Sequence, residues 1–134
     1  YTRENFVDRV MEITDGKKVP VVYDSVGKAT WPLSLDCLAP TGLMVSFGQA
    51  SGPIPPVDLG IFAAKGSLKF TRPTLMTYTA KKSDLDVMAA DLFDVVAKGV
   101  VKIAINQTYA LADVVQAHKD LEGRKTTGST ILMP

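Results

Sequence analysis

Few side chains in this sequence are of types that do chemistry. His118 is the sole histidine and Cys37 the sole cysteine among 134 residues. One of each cannot supply a Cys/His zinc cluster, and a single thiol excludes an internal disulfide. His118 sits on an apolar helical stripe with no second ligand nearby in sequence, so it reads as a core or boundary histidine. Cys37 stands beside Leu38 near the end of a helix-length segment and reads as a small buried hydrophobe. Asp84, Asp86, Asp91 and Asp94 fall on the polar side of a helical pattern, which makes them a solvated face rather than a metal site. Lys17-Lys18 reads as an exposed turn.

Two polar turns remain, each closing an apolar strand. Val19-Pro20-Val21-Val22-Tyr23 stops at Asp24-Ser25-Val26-Gly27, and Leu43-Met44-Val45-Ser46-Phe47 stops at Gly48-Gln49-Ala50-Ser51-Gly52. Asp24 could hold a ribose hydroxyl, as acids do in dinucleotide folds, or cap the helix that follows. The segment from Phe47 to Gly52 is the stronger candidate. Its glycines let a ligand approach the backbone, its aromatic ring offers a flat surface, and Gln49 and Ser51 offer hydrogen bonds. A plain surface loop is the competing reading. No Gly-x-Gly-x-x-Gly occurs anywhere, so pattern alone supplies no phosphate cradle.

The elements that must position these turns follow from length and apolar content. Between the two strands lie the residues from Lys28 to Thr41, with Trp31, Leu33, Leu35 and Leu38, which is the length of a crossover helix. The unit is then βαβ and its strands parallel. Right-handed crossovers put both carboxyl ends on one edge, so Asp24-Ser25 and Phe47-Gly48-Gln49 should face one crevice.

Around this unit we expect a helix from Arg3 to about Thr14, capped by Thr2, stopped by Asp15-Gly16 and packed on a sheet through Phe6, Val7, Val10 and Met11. Gly52-Pro53-Ile54-Pro55-Pro56 is a stiff loop, followed by a short helix over about Val57 to Ala64 and a strand from Ser67 to Thr71 that Arg72-Pro73 ends. Ser83 is expected to cap the longest helix, which runs to about Lys98 with Leu85, Met88, Leu92, Val95 and Val96 as its stripe. Val100 to Ile105 reads as a strand. Leu111 to Leu121 reads as an amphipathic helix with Leu111, Val114, Val115, His118 and Leu121 on one side and Gly123 as cap. A last strand runs from Ser129 to Met133.

Composition bounds the function classes. The chain is 46% apolar and 22% charged with net charge +1, as expected of one ordinary globular domain with a real core. Its 15 basic residues are interspersed with 14 acidic ones, which gives no electrostatic case for nucleic acid. No stretch is long and apolar enough for a membrane helix, and the first fifteen residues or so are too charged for a secretory signal. The expectation is a cytoplasmic, metal-free protein. The chain opens at Tyr1 without an initiator Met and enters a helix almost at once, so we also expect an upstream segment.

Several separate stretches carry a family resemblance. Val21-Val22-Tyr23-Asp24-Ser25-Val26-Gly27, Leu35-Asp36-Cys37-Leu38, Gly42-Leu43-Met44-Val45-Ser46-Phe47-Gly48, Gly66-Ser67-Leu68 with Thr71-Arg72-Pro73, and Ala117-His118 with Leu121-Glu122-Gly123-Arg124 resemble the NADPH-dependent quinone oxidoreductases. These form the zeta-crystallin-like, zinc-independent branch of the medium-chain dehydrogenase/reductases. The resemblance runs in order over essentially the whole chain. It implies that residues 1 to 74 are the second part of an NADPH-binding Rossmann domain and that residues 75 to 134 return to a catalytic domain lying upstream. It implies cofactor contacts at Tyr1, Ser25, Phe47, Gly48, Gln49 and Ala50, at Pro73, Thr74 and Leu75 near the nicotinamide, and at Arg124. Gln49-Ala50 departs from the Asn-Ser pair, and Gly128-Ser129 from the Gly-Lys, that many members carry.

We therefore expect an α/β fold, a partial Rossmann-type and mostly parallel sheet with flanking helices, plus C-terminal strands and helices. The expected reaction is hydride transfer from NADPH to a quinone or a similar activated carbonyl or alkene. The chain alone is expected to be inactive, and the resemblance implies a homodimer formed through the Ser67 to Thr71 strand. Arg124 could hold an anionic group of the cofactor, or could complement the dipole at a helix C-terminus. Alternatives are a Rossmann-like methyltransferase, with Asp24 on a ribose, and a non-enzymatic dimerisation module.

Overall fold

The computed structural model describes residues 3–134, which form two compact units dividing between Tyr78 and Thr79. Asn5 opens the first unit by capping helix α1 (Phe6–Ile13), its side chain accepting from the Val7 amide at 3.0 Å. The cap expected at Thr2 lies outside the described residues. The helix starts at Phe6 rather than Arg3 because Asn5 offers the first free amides a side-chain acceptor. Asp15 and Gly16, both left-handed, end it as their types predict.

Strands β1 (Val19–Asp24), β2 (Leu38–Ser46) and β3 (Lys69–Thr71) form a sheet in that order, parallel throughout. The βαβ expectation holds, with a shorter crossover. Helix α2 covers only Trp31–Asp36, with Pro32 in its first turn where no amide partner is lost, and β2 begins at once at Leu38. Residues 39–42 bulge against β1, since Val19 pairs with Leu38 but Val21 with Leu43. Pro40 explains the difference. It cannot continue a helix, and within a strand it is tolerated at such a bulge.

Helix α3 (Gly60–Ala64) is the short helix expected after the proline-rich loop, and α4 (Leu75–Tyr78) follows β3. Ser67, at φ 57, is a turn residue, so β3 starts at Lys69. The core is Trp31, Leu35, Leu38, Met44 and Leu68, flanked by Val22, Ile54, Val57, Ile61 and Phe62. Trp31 meets Phe70 edge to face with centroids 5.3 Å apart, which pins α2 over the sheet. Lys65 pairs with Asp36 and ties the ends of α2 and α3.

In the second unit α5 spans Lys82–Ala97 with Lys81, not Ser83, at its N-cap. Gly99 ends it in a left-handed turn, with Gly99 and Val100 amides donating to the Val96 and Val95 carbonyls at 2.9 and 3.0 Å. Val101 also donates to Val95, so this turn consumes the β-branched run that reads as a strand. Strand β4 is Ile105–Ala110 instead, paired in parallel with β5 (Ser129–Met133). The expected α5 stripe is largely open, with Leu85, Met88 and Leu92 all exposed. Asp86 and Asp94 pair with Lys82 and Lys98 one turn away on its solvated face.

A 3₁₀ turn (Leu111–Asp113) leads into α6 (Val114–Glu122). Ala117 is its buried residue, whereas Leu111, Val115 and Leu121 of the expected stripe are exposed. His118 is exposed too, at the lip of a shallow groove lined by Val114, Ala117, Leu121, Thr130 and Leu132. It is a boundary histidine, not a core one. Among the described residues no helix is long and apolar enough to cross a membrane.

Candidate functional site

Parallel pairing of β1 with β2 brings the two turns side by side, as the sequence predicts. Phe47 and Gly48 amides donate to the Asp24 carbonyl at 3.0 and 3.4 Å, Ala50 to Ser25 at 3.1 Å and Ser51 to Val26 at 2.8 Å. In return Lys28 donates to the Gly52 carbonyl at 3.1 Å. The Ser51 hydroxyl donates to the Val26 carbonyl at 2.7 Å and accepts from the Ala29 amide at 2.9 Å. Ser51, expected to offer a bond to a ligand, is thus engaged in stitching the turns together.

The glycines are fixed by this closeness. A Cβ on Gly48 would stand 2.5 Å from the Ser25 carbonyl oxygen, and one on Gly27 would stand 2.7 Å from that of Gly52. Both distances lie below van der Waals contact, so only glycine lets the turns interlock.

Asp24 is buried beneath them at 4% exposure. One carboxylate oxygen accepts from the Val26 and Gly27 amides at 2.8 and 2.9 Å, the other from the Thr30 and Ser34 hydroxyls, both at 2.7 Å. Burial pushes its pKa up, but the bonds from Gly27, Thr30, Ser34 and Val26 together outweigh burial and hold it below the usual carboxylate value. With both oxygens occupied, Asp24 has no lone pair directed at a ribose. Its role is the capping one, extended to the whole turn. The methyltransferase alternative loses the residue it depended on.

Phe47 projects from the end of β2, 53% exposed, and meets the 73% exposed Tyr23 edge to face at 6.5 Å. Gln49 and Ala50 are exposed at the rim. Pro73, Thr74 and Leu75 follow β3, whose end is tied to β2 by the Arg72 guanidinium donating to the Ser46 carbonyl at 2.7 Å. A cavity of about 290 Å³ opens here between sheet and helices, lined by Trp31, Ser46, Gly48, Gln49, Phe70 and Arg72 among others. Sequence reasoning passed over Tyr23 and Arg72. Their signal was positional, since each stands at the carboxyl end of a strand.

Thus Ser25, Phe47, Gly48, Gln49, Ala50, Pro73, Thr74 and Leu75 all lie where the three parallel strands end. Tyr1 is outside the described residues. Arg124 belongs to the second unit, where it takes the left-handed position (φ 55) that closes α6, its amide donating to Leu121 and that of Lys125 to Asp120. Gly123 is the C-cap of α6 as expected, at an ordinary φ of −72, one residue before this left-handed position. Tyr109 and Gln116 both donate to the Asp120 carboxylate, and Lys125 pairs with it at 3.2 Å. Gln116 and then Lys125 hold Asp120 below its ordinary pKa, while the bond to Asp120 and burial raise Tyr109. The turn bearing Arg124 is therefore fastened to α6 and β4.

Cys37 is buried at 3% and its thiol is pushed up by burial and by Asp36. Among the described residues no group of three or more His, Cys, Asp or Glu could hold a metal ion. The glycine-bare backbone, the exposed ring pair and the amide-bearing rim suit the nicotinamide end of a dinucleotide. These residues include no Gly-x-Gly-x-x-Gly to cradle its pyrophosphate.

A family model described as zinc-binding dehydrogenase matches residues 1–132. The chain is 57% identical over 134 residues to a quinone oxidoreductase of Pseudomonas aeruginosa, covering all of this chain and 41% of that protein. A 2-haloacrylate reductase of a Burkholderia species is 44% identical over 138 residues, again over all of this chain but 40% of the relative. The crystal structure of Escherichia coli quinone oxidoreductase complexed with NADPH superposes with a TM-score of 0.91 at 50% identity, covering 100% of this chain and 42% of that one. The chain thus spans about two fifths of the length of the relatives it matches.

Proposed function

Since this chain belongs to the zinc-binding dehydrogenase family, we propose that it supplies the nicotinamide side of an NADPH-dependent oxidoreductase that reduces a quinone or a similar activated carbonyl or alkene. The observation that carries the proposal is the pair of laced turns at the ends of parallel strands, on a chain alike throughout to a quinone oxidoreductase crystallised with NADPH. The likeness to a 2-haloacrylate reductase supports the wider acceptor class.

When bound, the reduced nicotinamide would supply the hydride, and that chemistry belongs to the cofactor. What this chain contributes is position. Ser25 and Gln49 would offer side-chain hydrogen bonds to the cofactor, Gly48 and Ala50 a backbone it can approach closely, Phe47 a ring to a planar part, and Pro73, Thr74 and Leu75 the wall after β3. A backbone already tied by hydrogen bonds loses little entropy on binding. Arg124 and Tyr1 would complete the cofactor contacts, and Arg124 is the residue suited to an anionic group.

The reading assigns residues 1–74 to the cofactor domain and 75–134 to the segment returning to the catalytic domain. Like the family branch it resembles, the reading is zinc-independent, and Cys37 and His118, single residues of their kinds in this chain, supply no Cys/His ligand set here. It places the enzyme in the cytoplasm as a homodimer through β3, the terminal strand of its sheet, where unpaired backbone groups invite antiparallel pairing with a second copy. The test is to titrate the whole protein with NADPH and with S-adenosylmethionine, then add a quinone. NADPH alone should bind, and the quinone should oxidise it. Binding of S-adenosylmethionine, or NADPH that no quinone or activated alkene oxidises, would overturn the proposal.

A further inference from the structure

The Asp24 carboxylate does more than cap a helix. Through the Val26 and Gly27 amides it fixes a turn whose four successive carbonyls, 24 to 27, are all acceptors. Asp24 receives Phe47 and Gly48, Ser25 receives Ala50, Val26 receives Ser51, and Gly27 receives Thr30 and Trp31. Phe47, Gly48 and Ala50 of the rim, and Ser51 after them, therefore hang on a turn that one buried carboxylate holds. We infer that Asp24 is a positioning residue for the cofactor, acting through the Ser25 and Gly48 backbone and never touching the ligand. This rests on the NADPH reading above.

The bond pattern separates positioning from plain stability. One carboxylate oxygen serves only the turn (Val26, Gly27), and the other only α2 (Thr30, Ser34). Asp24→Ala removes both. Ser34→Ala removes one α2 bond and leaves the turn held. Asp24→Asn keeps an acceptor for Val26 and Gly27 while turning an amide toward Thr30 and Ser34.

In the whole protein we expect Asp24→Ala to weaken NADPH binding about ten- to a hundredfold, the scale of lost bonds to a charged group. Asp24→Asn should restore most of that affinity. Ser34→Ala should lower the melting temperature yet bind NADPH as the wild type does. Loss of affinity that simply tracks melting temperature across the three variants would overturn the inference. So would wild-type affinity in Asp24→Ala.

Amide hydrogen exchange decides the case where Asp24→Ala does not fold, or where the wild type itself fails to bind NADPH and the functional reading falls. Asp24→Asn, which keeps the acceptor for the Val26 and Gly27 amides but loses the one for Thr30 and Ser34, should speed exchange in α2 at Ser34 and Leu35 while Gly48 and Ala50 keep their wild-type rates. Acceleration at Gly48 and Ala50 equal to that in α2 would refute positioning.

Discussion

Replacing Gly48 with alanine places a methyl group 2.5 Å from the Ser25 carbonyl oxygen and 2.8 Å from its Cα, where ordinary contact begins at 3.4 Å. Both neighbours are backbone, held by β1 on one side and by the Asp24 carboxylate on the other, so neither can swing aside. The turns must part by about 0.9 Å along that line, which costs about 1–3 kcal/mol as overpacking. The same movement stretches the Ala50–Ser25 bond from 3.1 Å and the Gly48–Asp24 bond from 3.4 Å past useful length. That adds about 1 kcal/mol for each backbone bond lost. We expect a total loss of about 3–5 kcal/mol in urea unfolding, and NADPH binding weakened at least tenfold, because the rim moves with the turn. Gly16→Ala is the control. Gly16 has nothing within 4 Å of its Cβ direction and a left-handed φ of 74, so only the backbone preference is lost, about 1 kcal/mol. If Gly48→Ala unfolds no more easily than Gly16→Ala, or binds NADPH unchanged, the close approach of the turns is not what requires glycine there.

Further outcomes follow from the same geometry. The Asp24 pKa is depressed in the folded state, so its contribution is complete above about pH 4 and lost as pH falls through the folded value. Melting temperature against pH should drop on that acid limb, and Asp24→Asn should flatten it. An unchanged limb in Asp24→Asn would place the acid sensitivity elsewhere. Arg124→Ala in the whole protein should weaken NADPH about ten- to a hundredfold and NADH less, if the guanidinium meets the extra phosphate. Equal loss for both cofactors would favour orientation of the loop alone. Light scattering should find a dimer at tens of micromolar that Phe70→Pro in β3 disrupts. A monomer, or a dimer indifferent to that change, removes β3 as the interface.

Much of this was decided by the chain's local chemistry. Two apolar runs ending in Gly-bearing turns, with a helix-length segment between them, are enough to make parallel strands whose ends share an edge, because a parallel connection needs a crossover. The resemblance carried by those same turns pointed to the family, since the motifs that identify it are contiguous in sequence. Other features needed three dimensions. The extent of α2 turned on Pro40, whose strand bulge depends on the partner β1. The run from Val100 to Ile105 has strand propensity, yet its first residues close α5, and the strand begins where β5 offers a ladder. The apolar periodicity of α5 and α6 described a stripe, but burial requires something packed against it, which periodicity does not encode. Asp24 shows the division most sharply. Sequence placed an acid after a strand and left a ribose contact and a cap equally open. Only folding brought Thr30 and Ser34 from one side and the Val26 and Gly27 amides from the other, filling both oxygens and turning a candidate ligand contact into the residue that holds the turn.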